Sequence, residues 1–284
     1  MSPNTRLLTT ARTIVITASI VAMLISAETS AQTSQAEPIA HAHNDYEHQN
    51  PLHDALAAGF TSVEADVYLV ENRLLVAHDR HKTTLKRTLQ SLYLDPLTQH
   101  FENHPPNPEQ STFWLMIDVK SEPISTFQRI HQVLNAYPKL IRVNDDPKSP
   151  IAGKQIPPVR VVISGNRAKE VITETQPHMA GIDGRLTDLN SDLSPKAMPW
   201  ISDNWKSHFS WRGIGRFPAK ERNTLHDYVR QAHAKGRLIR FWATPDEPVV
   251  WDELIAAGVD LINTDDLQGL RTHLKTRDQK QQVK

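Results

Sequence analysis

The sequence predicts an α/β protein, a single (β/α)8 TIM barrel with its active site at the carboxyl ends of the strands. Three observations carry that expectation. Short β-branched or apolar runs alternate with helical patterns, which is the signature of βαβ units around a parallel sheet. The candidate strands number eight. The chain that remains after an export-type leader is about 250 residues long, the size one such barrel needs.

The leader is residues 1–31. Arg6 and Arg12 supply a positive start, 13–26 is an uncharged apolar run, and Thr29-Ser30-Ala31 are small residues suited to signal peptidase. The apolar run falls short of the roughly 20 residues of a membrane span. A signal peptide is therefore expected, with an uncleaved anchor as the alternative, and an exported protein that is periplasmic or secreted.

Candidate strands follow at 38–42, 62–69, 113–119, 160–164, 181–183, 199–202, 238–243 and 259–263. A further extended piece, 74–77, carries His78 back toward the second strand. Between them, 51–58 reads as a helix stopped by Gly59. Residues 124–136 set Ile124, Phe127, Ile130, His131 and Leu134 at helical spacing and stop before Pro138. Pro218 opens a helix running to Gly236, and 248–257 runs to Gly258. Stretches 103–111 and 144–158 are rich in Pro and polar residues and read as loops. No linker, heptad run or low-complexity segment divides the chain, so the barrel is set at 32–274, with a charged, Gln-rich flexible tail at 275–284.

Composition removes several functions. Lys+Arg and Asp+Glu both number 32, so the basic footprint of a nucleic-acid binder is missing. There is no cysteine, which excludes disulfides, thiolate nucleophiles and Cys-ligated zinc. Histidine is the distinctive count: eight of the 14 fall between His41 and His104.

Those histidines begin where a barrel does its chemistry. His41-Ala42-His43-Asn44-Asp45-Tyr46 follows the first strand. In the second strand, alternation sets Glu64, Asp66 and Tyr68 on one face and Val63, Ala65 and Val67 on the other. The apolar set packs against helices, so both carboxylates point into the barrel mouth. Two such charges repel and resist desolvation unless something positive sits between them. A hard cation, Mg2+ or Ca2+, is the simplest compensation; a salt bridge to Lys or Arg is the other. The third strand ends in Asp118-Val119-Lys120, which adds a third carboxylate and leaves Lys120 to meet an anion, or makes an Asp118–Lys120 pair at the rim. His78-Asp79 then delivers another imidazole, and two histidines flanking a phosphate can serve as base and acid. Arg167, in Ser164-Gly165-Asn166-Arg167, opens a helix in a position suited to an anion. Trp242 stands at the exit of another strand and walls the pocket or joins the core.

This set resembles the glycerophosphodiester phosphodiesterase and phosphatidylinositol-specific phospholipase C barrel superfamily. The likeness covers most of the chain after the leader: a histidine after the first strand, Glu64-x-Asp66, His78-Asp79, Asp118-x-Lys120, Trp242 and Asn263-Thr264-Asp265. His43-Asn44-Asp45-Tyr46 with Phe241-Trp242-Ala243-Thr244-Pro245 is similar to its "altered inheritance of mitochondria protein 6" branch. The resemblance implies metal-assisted cleavage of a small phosphodiester or phospholipid-derived substrate. Glu64, Asp66 and Asp118 would hold Mg2+ or Ca2+, and His43 and His78 would act as acid and base through a cyclic phosphate. His41, Asn44, Lys120, Arg167 and Trp242 would meet the substrate. Any membrane contact is expected only through that substrate. The superfamily's usual His-Arg-Gly is absent, so either His41 or His43 fits the first catalytic position; Asn44 directly after it favours His43. Asp118 stands where Glu is commoner and reaches less far.

Two other readings compete. His41-x-His43 matches the metal ligands of amidohydrolase or histidinol-phosphatase-like barrels, although His178 and His208 are poorly placed to complete such a site. A non-catalytic phospholipid- or glycan-binding barrel is the third possibility.

Overall fold

The computed structural model describes residues 38–105, 112–144 and 156–282. The leader expected at 1–31 lies outside them, as do parts of both expected loops.

Among the described residues nine strands alternate with eight α-helices. β1 (Ile39–Ala42) is followed by α1 (His53–Ala57), then β2 (Ser62–Val70) and β3 (Arg73–Val76). α2 (Asp95–Asn103), β4 (Phe113–Val119), α3 (Pro123–Leu134), β5 (Val159–Gly165) and α4 (Lys169–Glu174) come next. β6 (Ala180–Gly184), β7 (Trp200–Asn204), α5 (Trp205–His208) and α6 (Ala219–Ala234) lead to β8 (Leu238–Trp242). α7 (Pro248–Ala257), β9 (Leu261–Thr264) and α8 (Leu267–Gln282) complete the order.

The barrel strands run β1-β2-β4-β5-β6-β7-β8-β9, and pairing of β9 with β1 closes the ring. All eight of these pairings are parallel. β3 alone runs antiparallel, paired to the upper half of β2 as Val67↔Val76 through Val70↔Arg73. The fold is therefore the expected (β/α)8 barrel, with the predicted extended piece at 74–77 realised as an appended hairpin. Its turn residues Glu71 and Asn72 both take left-handed backbone angles, φ 47° and 62°, as a two-residue hairpin turn requires.

Period-two alternation separates two cores. Val63, Ala65 and Val67 face outward with Leu115, Ile117 and Val161 into the layer beneath the helices. Trp114, Met116, Val162, Trp200 and Leu261 face inward and fill the barrel, with the Trp114 and Trp200 rings 5.1 Å apart. That filling makes the lower barrel a packed floor. Trp205, Phe209, Trp211 and Phe217, aromatics near the seventh strand that could have gripped a ligand, are buried against one another instead.

Three helices escaped the sequence reading: the four-residue α5, and α2 and α8. α2 opens at Asp95-Pro96 and carries few apolar residues. α8 is strongly polar and continues to Gln282, so the stretch assigned to a flexible tail at 275–284 is helical over its described part. Among the described residues no helix is long and apolar enough to cross a membrane.

Candidate active site

Above the apolar floor, the inward positions become polar two residues at a time. Strand register sets Asp66 beside Asp118 and Asp118 beside Ser164, while Glu64 lies one step lower beside Met116. Glu64, Asp66 and Asp118 each offer a carboxylate oxygen, all within 4.8 Å of one another. Among the described residues they are the group of three or more acidic or imidazole side chains able to hold a metal, and no histidine belongs to it. His41 and His43, the ligands of the amidohydrolase-like reading, lie outside that group.

The carboxylates behave differently. Burial pushes Asp66 up to about 7, and Glu64 and Asp118 add to the rise. Asp118 is raised for the same two reasons, burial first and then Glu64. Burial would also raise Glu64, but the Arg240 guanidinium overrides it and holds that carboxylate well below its ordinary range. Lys120 Nζ bridges Asp118 Oδ2 at 2.9 Å and Asp66 Oδ2 at 3.1 Å. Burial disfavours its charge, yet the two aspartates raise its affinity for the proton. One cation therefore faces two of the three carboxylates, and Asp66 Oδ1 and Asp118 Oδ1 remain buried without a hydrogen bond. Clustered, under-satisfied, hard oxygen donors suit a divalent ion such as Mg2+ or Ca2+.

Two imidazoles flank this cluster. His43 lies just past β1, and its Nδ1 is 2.8 Å from Asp265 Oδ1 at the end of β9. Burial alone would lower its proton affinity; the Asp265 hydrogen bond and the Glu64 charge raise it. His78 follows β3. Its Nδ1 stands 3.3 Å from Asp66 Oδ2 and 3.2 Å from the Tyr46 hydroxyl. That hydroxyl donates to Asn44 Oδ1 at 2.8 Å, so the loop after β1 is tied to the β3 end through Tyr46. Tyr68 secures the same end by donating to the His78 carbonyl at 3.1 Å. Asp79, a candidate partner for an imidazole, pairs with Lys82 at 3.0 Å instead.

The remaining expected residues divide. Asn44 and Lys120 are at the mouth. Trp242 is half-buried at the end of β8, on the same face as Arg240. His41 is wholly buried one layer below, between Ser62, Glu64 and Arg240, out of reach of a ligand in the mouth. The end of β1 explains this: His41 is still within the strand, whereas His43 has left it. Arg167 donates to the Asp183 carbonyl, and α4 behind it is only six residues long, so the expected anion site at a helix start is replaced by an internal contact. Asp183 is itself fully buried, holding Ser164 Oγ at 2.8 Å, Ser202 Oγ at 2.6 Å and Arg185 Nη1 at 2.8 Å.

Three residues enter that were not chosen from sequence: Asp265, Tyr46 and Arg240. Arg240 had a usable signal, since it is the one charge inside Leu238-Ile239-Arg240-Phe241-Trp242 and alternates with Trp242.

Comparison with known proteins agrees with this geometry. An AIM6-like phosphodiesterase domain matches residues 30–112, and a glycerophosphoryl diester phosphodiesterase family model matches 239–268. Altered inheritance of mitochondria protein 6 of Eremothecium gossypii is 30% identical over 265 residues, covering 81% of this chain and 68% of that protein. The homolog from Arthroderma benhamiae is 28% identical, covering 81% and 82%. Among solved structures, a calcium-dependent phosphoinositol-specific phospholipase C from Pseudomonas sp in its myoinositol complex shares the fold. Its TM-score is 0.54 at 14% identity, with 81% of this chain and 89% of that one covered.

Proposed function

Because the chain belongs to the altered inheritance of mitochondria protein 6 family, we propose that it is a divalent-cation-dependent phosphodiesterase whose proton carriers are His43 and His78. The observation that carries this reading is the convergence of Glu64, Asp66 and Asp118 within 4.8 Å, flanked by imidazoles from β1 and β3.

Glu64, Asp66 and Asp118 would hold Mg2+ or Ca2+, and the bound ion would neutralise charge on the phosphoryl oxygens. Lys120 supports the same task as a fixed positive charge beside Asp66 and Asp118. His43 suits the general base. His43 Nδ1–H donates to Asp265 Oδ1, which leaves the Nε2 lone pair free and stabilises the imidazolium that forms. His78 suits the general acid: its Nδ1 stands beside Asp66 Oδ2, and its proton would go to the leaving alkoxide. A substrate hydroxyl deprotonated by His43 would attack its own phosphorus, giving a cyclic phosphate open to hydrolysis. A small phosphodiester or phospholipid-derived substrate fits a barrel mouth of this kind. The leader-like sequence at 1–31 supports an exported enzyme.

The test is a panel of glycerophosphodiesters and phosphatidylinositol, assayed with Ca2+ or Mg2+ and then with EDTA, following cyclic and open products. Cation-dependent cleavage lost in H43A and H78A is expected. Cleavage that survives replacement of both histidines would remove the catalytic assignment.

A further inference from the structure

We propose that Arg240 and His41 are positioning residues that aim the Glu64 carboxylate from beneath the cation site. The inference rests on the reading of Glu64, Asp66 and Asp118 as cation ligands.

Arg240 is 3% exposed. Its Nη1 donates to Glu64 Oε2 at 3.2 Å and to His41 Nε2. A guanidinium has only donors. His41 Nε2 must therefore present its lone pair to Arg240, and Nδ1 carries the hydrogen to Ser62 Oγ at 2.7 Å. It follows that His41 Nε2 and Glu64 Oε2, 3.5 Å apart, are two acceptors that meet through Arg240 and not through a bond of their own. The chain Ser62–His41–Arg240 locks one Glu64 oxygen from below and leaves the other untaken by Arg240. It also consumes the one nitrogen with which His41 could bind a metal.

Fold stability alone does not account for this arrangement. Burying the Arg240–Glu64 ion pair inside the barrel costs desolvation that an apolar pair avoids. Arg237, three residues earlier, shows what a structural arginine looks like here. It donates to the carbonyls of Asp188, Leu189, Ser191 and Leu193, clamps that loop, and touches no carboxylate of the site. Carboxylates that hold metals are oriented by such outer partners, and removing one typically weakens metal binding 10–100-fold.

The experiment is titration of the purified chain with Ca2+ and, separately, Mg2+ by calorimetry, alongside thermal unfolding with and without the ion. R240K loses the fork geometry and H41L loses the acceptor; each is expected to bind the cation about 10–100-fold more weakly. H41Q, which restores an acceptor, should recover most of the affinity. R237K should lower the unfolding temperature and leave affinity unchanged, which separates positioning from general destabilisation. If R240K does not fold, H41L decides, and S62A serves if neither folds. Wild-type affinity in the folded variants would overturn the inference while leaving the carboxylate site intact. A wild-type chain that binds neither ion would overturn the cation site and the inference together.

Discussion

His43 and Asp265 are 222 positions apart in sequence, and His43 Nδ1 lies 2.8 Å from Asp265 Oδ1. The pairing of β1 with β9, which closes the barrel, brings them together: His41 sits beside Asn263 and Ala42 beside Thr264, and each strand then runs on into its functional residue. Closure of the sheet and assembly of the imidazole–carboxylate pair are the same event.

D265N should lower kcat by about 10²–10⁴. Burial depresses His43's proton affinity, and Asp265 is the chief group that restores it, so its removal makes the imidazole a weaker base. The acid limb of the kcat/KM profile should then move to lower pH. A profile that keeps its limb in D265N would show that His43 is not the group titrating there.

Adding Ca2+ or Mg2+ should raise the unfolding temperature, and EDTA should reverse the rise. At an ion concentration 100 times Kd the gain is about 2.7 kcal/mol. D118N removes a charge and one of the unpaired buried oxygens, so its response to the ion should shrink. Scanning calorimetry of both chains, with ion and with chelator, measures this directly.

Gly165 is held at φ +66°, and a Cβ there would stand 1.8 Å from Asp118 Oδ1 and 2.5 Å from the Val119 carbonyl. G165A must therefore push the Asp118 side chain aside and strain its own backbone, costing about 1–3 kcal/mol. Cation affinity should fall together with stability. An alanine variant that binds the ion as tightly as wild type would place Asp118 outside the ligand set.

Asp45 gives a pH signature away from the carboxylate cluster. Burial pushes it from 3.8 up to about 6, even though the Leu52 amide and the Tyr93 hydroxyl donate to it. A raised folded-state value means the native state favours the protonated form. The associated stability is complete below about pH 4 and is lost as pH rises through 6, amounting to about 3 kcal/mol. D45N cannot ionise. Its stability relative to wild type should climb between pH 4 and 7 in chemical denaturation, over a constant offset from the altered hydrogen bonds; a flat difference would contradict the burial argument.

Strand alternation was the most legible part of the site. It set Glu64, Asp66 and Asp118 on the inner face from spacing alone, because a period of two leaves no other choice. It could not separate His41 from His43, since both have the same parity. What separates them is where β1 ends, and that depends on pairing with β9. Arg240 was passed over because its worth lies in meeting Glu64 across the barrel interior, a contact between β8 and β2 that no local pattern encodes. For the fold, all eight barrel strands carried apolar runs. α8 did not, because a helix lying on the outside of a barrel can be mostly polar.

The β2–β3 hairpin has a mechanical meaning. His43 is fastened to the closed wall of the barrel, whereas His78 is carried by a hairpin arm outside that wall, paired to β2 and bridged to Thr88. The spacing between the two imidazoles is thus set by a ruler of strand residues at about 3.4 Å each. Two residues added to the β3 arm alone would slide His78 along β2 by about 7 Å with its imidazole still facing the same way, whereas equal additions to both arms would only lengthen the tip. One added to a single arm would turn it over. The wall would be undisturbed in both cases, so the placing of His78 is adjustable separately from the body that holds it.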